Sequence, residues 1–514
     1  MSKEPANELS PSLWGRLFGI DARSLALFRI CLGLLLLVDL ATRLSDFSTF
    51  YPNDGMFSIE DAKQFYYHNP AIWSLHYLHG SAVYQGTLFA LAAIAAVCLL
   101  VGYWTRVATV ASWVLLCSLC NRNPMICNYG DLLMRMLLFW SMFLPLGRVW
   151  SLDARPSEQR RGGREPVRLV SVGAACMLAQ VCFVYWFTGL VKWNGDWLAG
   201  DAIFRAMELD YCVRPLGKSL LAYPDLLRLM TQGTLLLELA APTLVWTPWR
   251  TAGARTVIVA AMIGFHIGIE LCMVPGLLSY ACMTAWLVFL PSEFWDRVLR
   301  LGGRAGGEPV AAREEAYPRR APARVLTSVA CGLLIVYILL WNIVTLDGPR
   351  FQALMPEKVR WIGHAAVVSQ KWTMFYVPSR TNSWYIAKAE LRSGRVVDLL
   401  SGGEAFDERK VRDSWRRLPN YRWRFYFRRL GFEVNRVFYQ STVDYLFATW
   451  NEGHSADEQI AKLELFYYEE LKGDGFTRED FARRLLASAE DESADGDRFI
   501  RQMEALEKGG FNLP

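Results

Sequence analysis

Nine mostly apolar stretches, each of about 18 residues or more, recur along this chain, and a helix needs about 20 residues to cross a hydrocarbon core. They lie near 25–43, 83–103, 105–121, 132–147, 168–191, 225–247, 254–274, 276–293 and 325–345. In lipid every backbone polar group must be satisfied within the segment, so such runs can only be helices packed side by side. The pattern predicts an all-α polytopic membrane bundle of about eight to nine transmembrane helices. Composition agrees: 53% of the 514 residues are hydrophobic and only 20% are charged. Soluble domains carry roughly 45–50% and 25%. The first run is longer than a signal-peptide core and no small-residue cleavage site follows it, so no cleavable signal is expected.

Orientation follows from lysine and arginine, which gather in cytoplasmic loops. Loop 148–168 carries Arg148, Arg155, Arg160, Arg161, Arg164 and Arg168, and loop 293–324 is similarly arginine-rich. Segments 44–82 and 122–130 hold little beyond Lys63 and Arg122. The N-terminus is therefore expected inside, and an odd number of crossings places the tail outside a cell inner membrane. Three segments result: an amphipathic lead-in over 1–24, a transmembrane domain over 25–346, and an extracytoplasmic α+β domain over 347–514. In the tail, Trp384–Leu391 and Arg395–Leu400 read as a hairpin and Ile460–Tyr468 as a strand. Segments 408–430 and 436–450 and the last forty residues have helical spacing. No cysteine follows Cys331, so the tail folds without disulfides. The net charge of +5 is explained by the inner loops and gives no reason to expect nucleic acid as a partner.

Ionisable side chains inside apolar runs cost about 2.5–3.5 kcal/mol each on insertion scales, so each needs a reason. Glu238 lies in the sixth run. His266 and Glu270, four residues apart on one helix face, lie in the seventh. Asp131 and Arg135 share the same spacing at the start of the fourth and read as an intrahelical pair. Lys192 ends the fifth run, in Gly189-Leu-Val-Lys-Trp-Asn-Gly-Asp-Trp197. A partly desolvated amine there is pushed toward its neutral form and can accept a proton. A lysine beside tryptophan at a span end is equally the ordinary interfacial anchor among membrane lipids. Glu238, His266 and Glu270 lack a second histidine at ligand spacing, so no metal is expected.

The Gly189–Trp197 segment resembles the Gly-x-x-Lys-x-x-x-Asp-Trp segment of vitamin K-dependent gamma-carboxylase. Leu237-Glu-Leu-Ala-Ala241, Phe265-His266 and Gly276-Leu-Leu-Ser-Tyr280 are similar to that enzyme's later helices. Asn121-Arg-Asn-Pro-Met-Ile-Cys-Asn-Tyr-Gly-Asp131 and the Phe-Leu-Pro-Leu-Gly at 143–147 look more like the bacterial branch, the horizontally transferred transmembrane domain family. The resemblance spans roughly residues 18–400 and implies that Lys192 is a catalytic base. It would deprotonate a reduced, vitamin K-like quinone that reacts with oxygen to an epoxide. The strong base formed then removes a proton from the γ-carbon of a glutamate side chain, and carbon dioxide adds. Asp196 would orient the loop after Lys192, with Glu238, His266 and Glu270 as polar groups around the substrate. A lipid quinol and an extracytoplasmic protein or peptide are the partners implied. The sequence departs from the enzyme in having no histidine within Cys127–Asp131, a much smaller tail, and no tail cysteine. A non-catalytic membrane scaffold with a partner-binding tail is the alternative, with Lys192 as anchor.

Overall fold

The computed structural model describes residues 12–154, 167–301, 313–317, 320–408, 415, 417–471 and 481–491. Each of the nine apolar runs is a helix. They are α1 Ala22–Leu44, α2 Ala82–Val101, α3 Thr105–Arg122, α4 Tyr129–Ser141, α5 Val172–Val191, α6 Pro224–Leu244, α7 Thr251–Cys272, α8 Leu278–Trp286 and α9 Ala321–Leu346. Five of them, α1, α2, α5, α7 and α9, are long and apolar enough to cross a membrane. That is fewer than expected, and the reasons are local. Helix α4 has 13 residues and α8 has nine. Helix α6 carries Asp225, Arg228 and Glu238, and α3 intersperses Arg106, Ser112, Ser118 and Asn121 among its apolar residues.

Short strands tie one face of the bundle together. Strand β1 (Ile20–Asp21) pairs antiparallel with β2 (Val167–Val170), which pairs parallel with β3 (Arg313–Ala316). These strands lie just ahead of α1, α5 and α9, so those three helices start from the same face. The described arginines of the two basic loops collect there: Arg148 pairs with Glu315 at 2.6 Å and Arg168 with Glu293 at 3.9 Å. Arg23, in the first turn of α1, holds Asp21 and Asp296, each at 2.8 Å. On this face α3 begins after Trp104, whose backbone is left-handed (φ 43°). The Asp153 carboxylate caps it from outside, accepting the Trp104 and Thr105 N–H groups at 3.0 and 2.7 Å and the Thr105 hydroxyl at 2.6 Å. Asp153→Ala removes that cap and is expected to lower stability by about 1–2 kcal/mol, read as a lower thermal midpoint.

The tail sits on the opposite face. Its sheet has the order β6-β5-β4-β7-β8, with β4 Thr381–Leu391, β5 Val396–Asp398, β6 Glu404–Ala405, β7 Ile460–Leu471 and β8 Phe481–Glu490, all antiparallel. Alternation along β4 sends Tyr385, Ala387, Ala389 and Leu391 toward helices α10 (Tyr421–Leu430) and α11 (Tyr439–Gly453). Trp384 and Ile386 point the other way, against Phe466 and Tyr468. The same core takes in Phe50, Tyr51, Met56 and Phe57 from the 44–82 segment, and Met125 and Ile126. The aromatic 44–82 segment is therefore the seat on which the tail rests.

Two tail expectations change. The described part of the last forty residues, Phe481–Glu490, is a strand rather than a helix; 492–514 lie outside the described residues. Its helical spacing is overridden because β7 offers a complete hydrogen-bonding edge, and Arg483 and Arg484 lie over Phe466 and Tyr467 across the pairing. In 408–430 the helix spans only Tyr421–Leu430, capped by Asn420, whose side chain accepts the Arg422 N–H. Proline at 419 keeps helix from extending back through it; 409–414 and 416 lie outside the described residues.

The arginines of α10 have a structural reason that spacing alone does not give. Arg422 is buried among Asp39 and Arg43 of α1 and Asp131 of α4. It pairs with Asp39 and lies 3.6 Å from Asp131, while Arg43 holds Asp39 at 2.8 Å and Asp131 at 2.5 Å. All four side chains are nearly inaccessible. Asp131 thus pairs with these two arginines and not, as its spacing suggested, with Arg135. Arg429 donates to the Pro124 and Met125 carbonyls at 3.1 and 2.6 Å.

Candidate functional site

Helices α5 and α6 approach closely at Gly189, where a β-carbon would stand 2.7 Å from the Leu239 side chain. That contact brings the end of α5 against the middle of α6. Lys192, the residue that closes α5, then places its amine on both carboxylate oxygens of Glu238, at 2.6 and 2.7 Å. The two residues are 3% and 5% exposed, so neither is an anchor in the headgroups. The Lys192 amine also lies 4.6 Å from the centre of the Trp197 ring. Just beyond the span, burial draws the Lys192 pKa below the usual lysine range, opposed by the charge and hydrogen bonds of Glu238.

The pair sits at the edge of a cavity of about 380 Å³ with mostly apolar walls. His266 of α7 also lines it. Its Nε2 is 2.6 Å from the Tyr185 hydroxyl, and its buried Nδ1 has no hydrogen-bond partner among the described residues. Tyr185 precedes Lys192 by two helical turns and so shares its face of α5. That periodicity was a usable signal, though tyrosine in an apolar run reads first as packing. Met374 and Phe375, which lead into the tail, also line the cavity. Trp197 donates to the Phe375 carbonyl at 2.9 Å, and Phe375 itself has a left-handed backbone (φ 52°). No local signal marks these two residues, because only the docked tail brings them there.

The five candidate residues therefore divide. Lys192, Glu238 and His266 meet at one cavity. Asp196 lies outside it, between Arg205 at 3.5 Å and Arg380 at 3.6 Å, and so ties the loop after Lys192 to the start of the tail. Glu270 pairs with Arg214 at 2.6 Å, one turn beyond His266 but not on the cavity wall. Glu238 and Glu270 are thus each committed to a cation and do not form a metal-ligand set with His266. Cys120, Cys127 and Asp131 do bring donor atoms within 4.8 Å of one another. Any metal there would face the Arg43 and Arg422 guanidinium groups that already hold Asp131.

A family profile described as HTTM domain matches residues 19–295. The match runs from the start of α1 past the end of α8, and includes Lys192, Glu238 and His266 but not the tail. No curated protein and no solved structure gives a match.

Proposed function

The chain belongs to the HTTM domain family, and from that premise we propose a multi-pass membrane enzyme of the vitamin K-dependent carboxylase type, with Lys192 as its base. The observation that carries this reading is the Lys192 amine, fixed by Glu238 at the polar edge of an otherwise apolar cavity. The residues present suit a lipid quinol. The cavity volume falls in the small-molecule range of about 300–1,000 Å³. Gly233 of α6 and Gly268 of α7 both line it and are exposed, with open space where a β-carbon would stand. A ring carried on a lipid tail can enter sideways between these helices. When bound, a reduced naphthoquinone supplies acidic hydroxyls and, with oxygen, oxidising power.

The chain's own groups then act as follows. Lys192 accepts a hydroxyl proton only as the neutral amine, and Glu238 both aims it and can hold the proton it gives up. Tyr185 fixes the His266 ring, leaving Nδ1 for a ligand oxygen. Met374, Phe375 and Trp197 exclude water, which protects a strongly basic centre. In this reading the helical bundle lies in the inner membrane of the cell, with the arginine-rich face inside and the tail outside. An extracytoplasmic protein or peptide supplies the glutamate that is carboxylated.

The test supplies purified protein with reduced naphthoquinone, dissolved oxygen and carbonate. Quinone epoxide is followed, together with the mass gain of one carbon dioxide on peptide glutamates. Absence of epoxide with wild-type protein removes the quinol reading and leaves Lys192 as a structural partner of Glu238 in a membrane scaffold. Gly268→Phe is expected to fill the α6–α7 opening and raise the apparent KM for quinol about tenfold, a loss of about 1.4 kcal/mol. The thermal midpoint should stay unchanged, since nothing occupies that space.

A further inference from the structure

A second, larger cavity of about 750 Å³ lies between the membrane helices and the tail, and its charge is one-sided. Arg135 of α4, Lys371 of the segment leading into the tail, and Arg428 and Arg429 of α10 all line it, and no aspartate or glutamate does. None of the four has an acidic partner within salt-bridge distance among the described residues. Asp131, whose charge reaches Arg135 and Arg429, lies off the wall and is already held by Arg43 and Arg422, so four cations facing one cavity call for an anion.

Hydrogen bonding points the same way. The Arg135 Nε and the Asn128 Nδ2 are buried donors with no partner among the described residues, and both residues line this cavity. Buried donors are nearly always satisfied in a folded protein, so two orphans on residues of one cavity wall point to a missing acceptor. Arg429 is steadied by two backbone carbonyls, and Arg428 lies 4.6 Å from the centre of the Tyr211 ring. Arg428 and Arg429 are thus held in place ahead of any ligand. Trp341 and Thr345, in the last turns of α9, form another part of the wall, so the cavity lies at the level where a spanning helix ends.

We propose that this cavity binds a multiply charged oxyanion of the phosphate-ester class, held between Arg135, Arg428, Arg429 and Lys371. Arginine forks match phosphate oxygens in pairs, and several of them suit a doubly charged group better than a single carboxylate. The anion is either the headgroup of an acidic phospholipid or a soluble phosphate ester. The proposal does not depend on the chemistry assigned to Lys192, although the two cavities share Met374 and Phe375 as a wall.

The test is calorimetric titration of the delipidated full-length protein in detergent with two probes, dihexanoyl phosphatidic acid and inorganic pyrophosphate. The variant combines Arg428→Gln and Lys371→Gln, both exposed and so safe for folding. Arg228→Gln, on an exposed face of α6, is the control. Wild type and control should bind at least one probe, and the double variant should bind it about tenfold or more weakly. Binding of the lipid alone identifies a headgroup site, and equal binding of pyrophosphate a soluble ester. No binding of either probe to wild type, or equal affinity in the double variant, overturns the proposal.

Discussion

If Lys192 is the base of the proposed quinol chemistry, Lys192→Met is expected to lower quinol turnover by about 10²–10⁴-fold, the usual range for removing a positioned general base. Methionine keeps most of the side-chain volume but leaves Glu238 buried without its counter-charge. The thermal midpoint is therefore read alongside, and the Lys192→Met, Glu238→Gln double variant, which strands no charge, must show the same loss of turnover. The pH profile separates chemistry from packing further. Only the neutral amine accepts a proton, so the wild-type rate rises with pH as Lys192 deprotonates, whereas the residual rate of the variant shows no such limb. Glu238→Gln keeps the amine and one hydrogen-bonding oxygen but removes the counter-charge. Without that charge the burial of Lys192 is unopposed, and the alkaline limb should move to lower pH. A wild-type profile identical to that of Lys192→Met would end the assignment. A control lysine is best taken at Lys63, more than half exposed; Lys218, the nearby outer-loop lysine, pairs with Asp210 at 2.7 Å.

Arg422→Met should cost about 3–5 kcal/mol, the usual penalty for breaking a buried ion network from one side. Two carboxylates, Asp39 and Asp131, would then share Arg43 alone, away from water. The expected results are a markedly lower thermal midpoint and rapid protease cleavage between the ninth helix and the tail sheet. Adding Asp39→Asn to the same chain removes the excess charge and should recover part of the loss. Equal stability of wild type and Arg422→Met would mean that the aromatic seat alone holds the tail.

These two expectations differ in how far they could be read from residues alone. All nine helices were legible, because a sustained apolar run has one solution in lipid. The tail hairpin and the strand at Ile460 were legible from alternation and turn chemistry. Lys192, Glu238 and His266 stood out since charge inside an apolar helix demands a reason. Spacing could not say that Glu270 would turn to Arg214, or that Asp131 would prefer Arg43 to Arg135. The Arg422–Asp39 contact joins residues 383 apart in the chain. No local pattern carries such a pairing, because it exists only once the tail has folded onto the bundle. Five helices rather than nine meet the length and apolarity needed to cross unaided. Helices α4 and α8 fall short in length, and in α3 and α6 charged and polar residues interrupt the apolar run, differences that a count of apolar residues does not see.

The small sheet formed by β1, β2 and β3 sets an order on biosynthesis. Its first strand leaves the ribosome at residue 20, waits for a mate at 167, and is completed only by a third at 313. A nascent chain arrested before that point lacks the strand that joins the start of α9 to those of α1 and α5, so the ninth helix is the last of the three to be fixed to its neighbours.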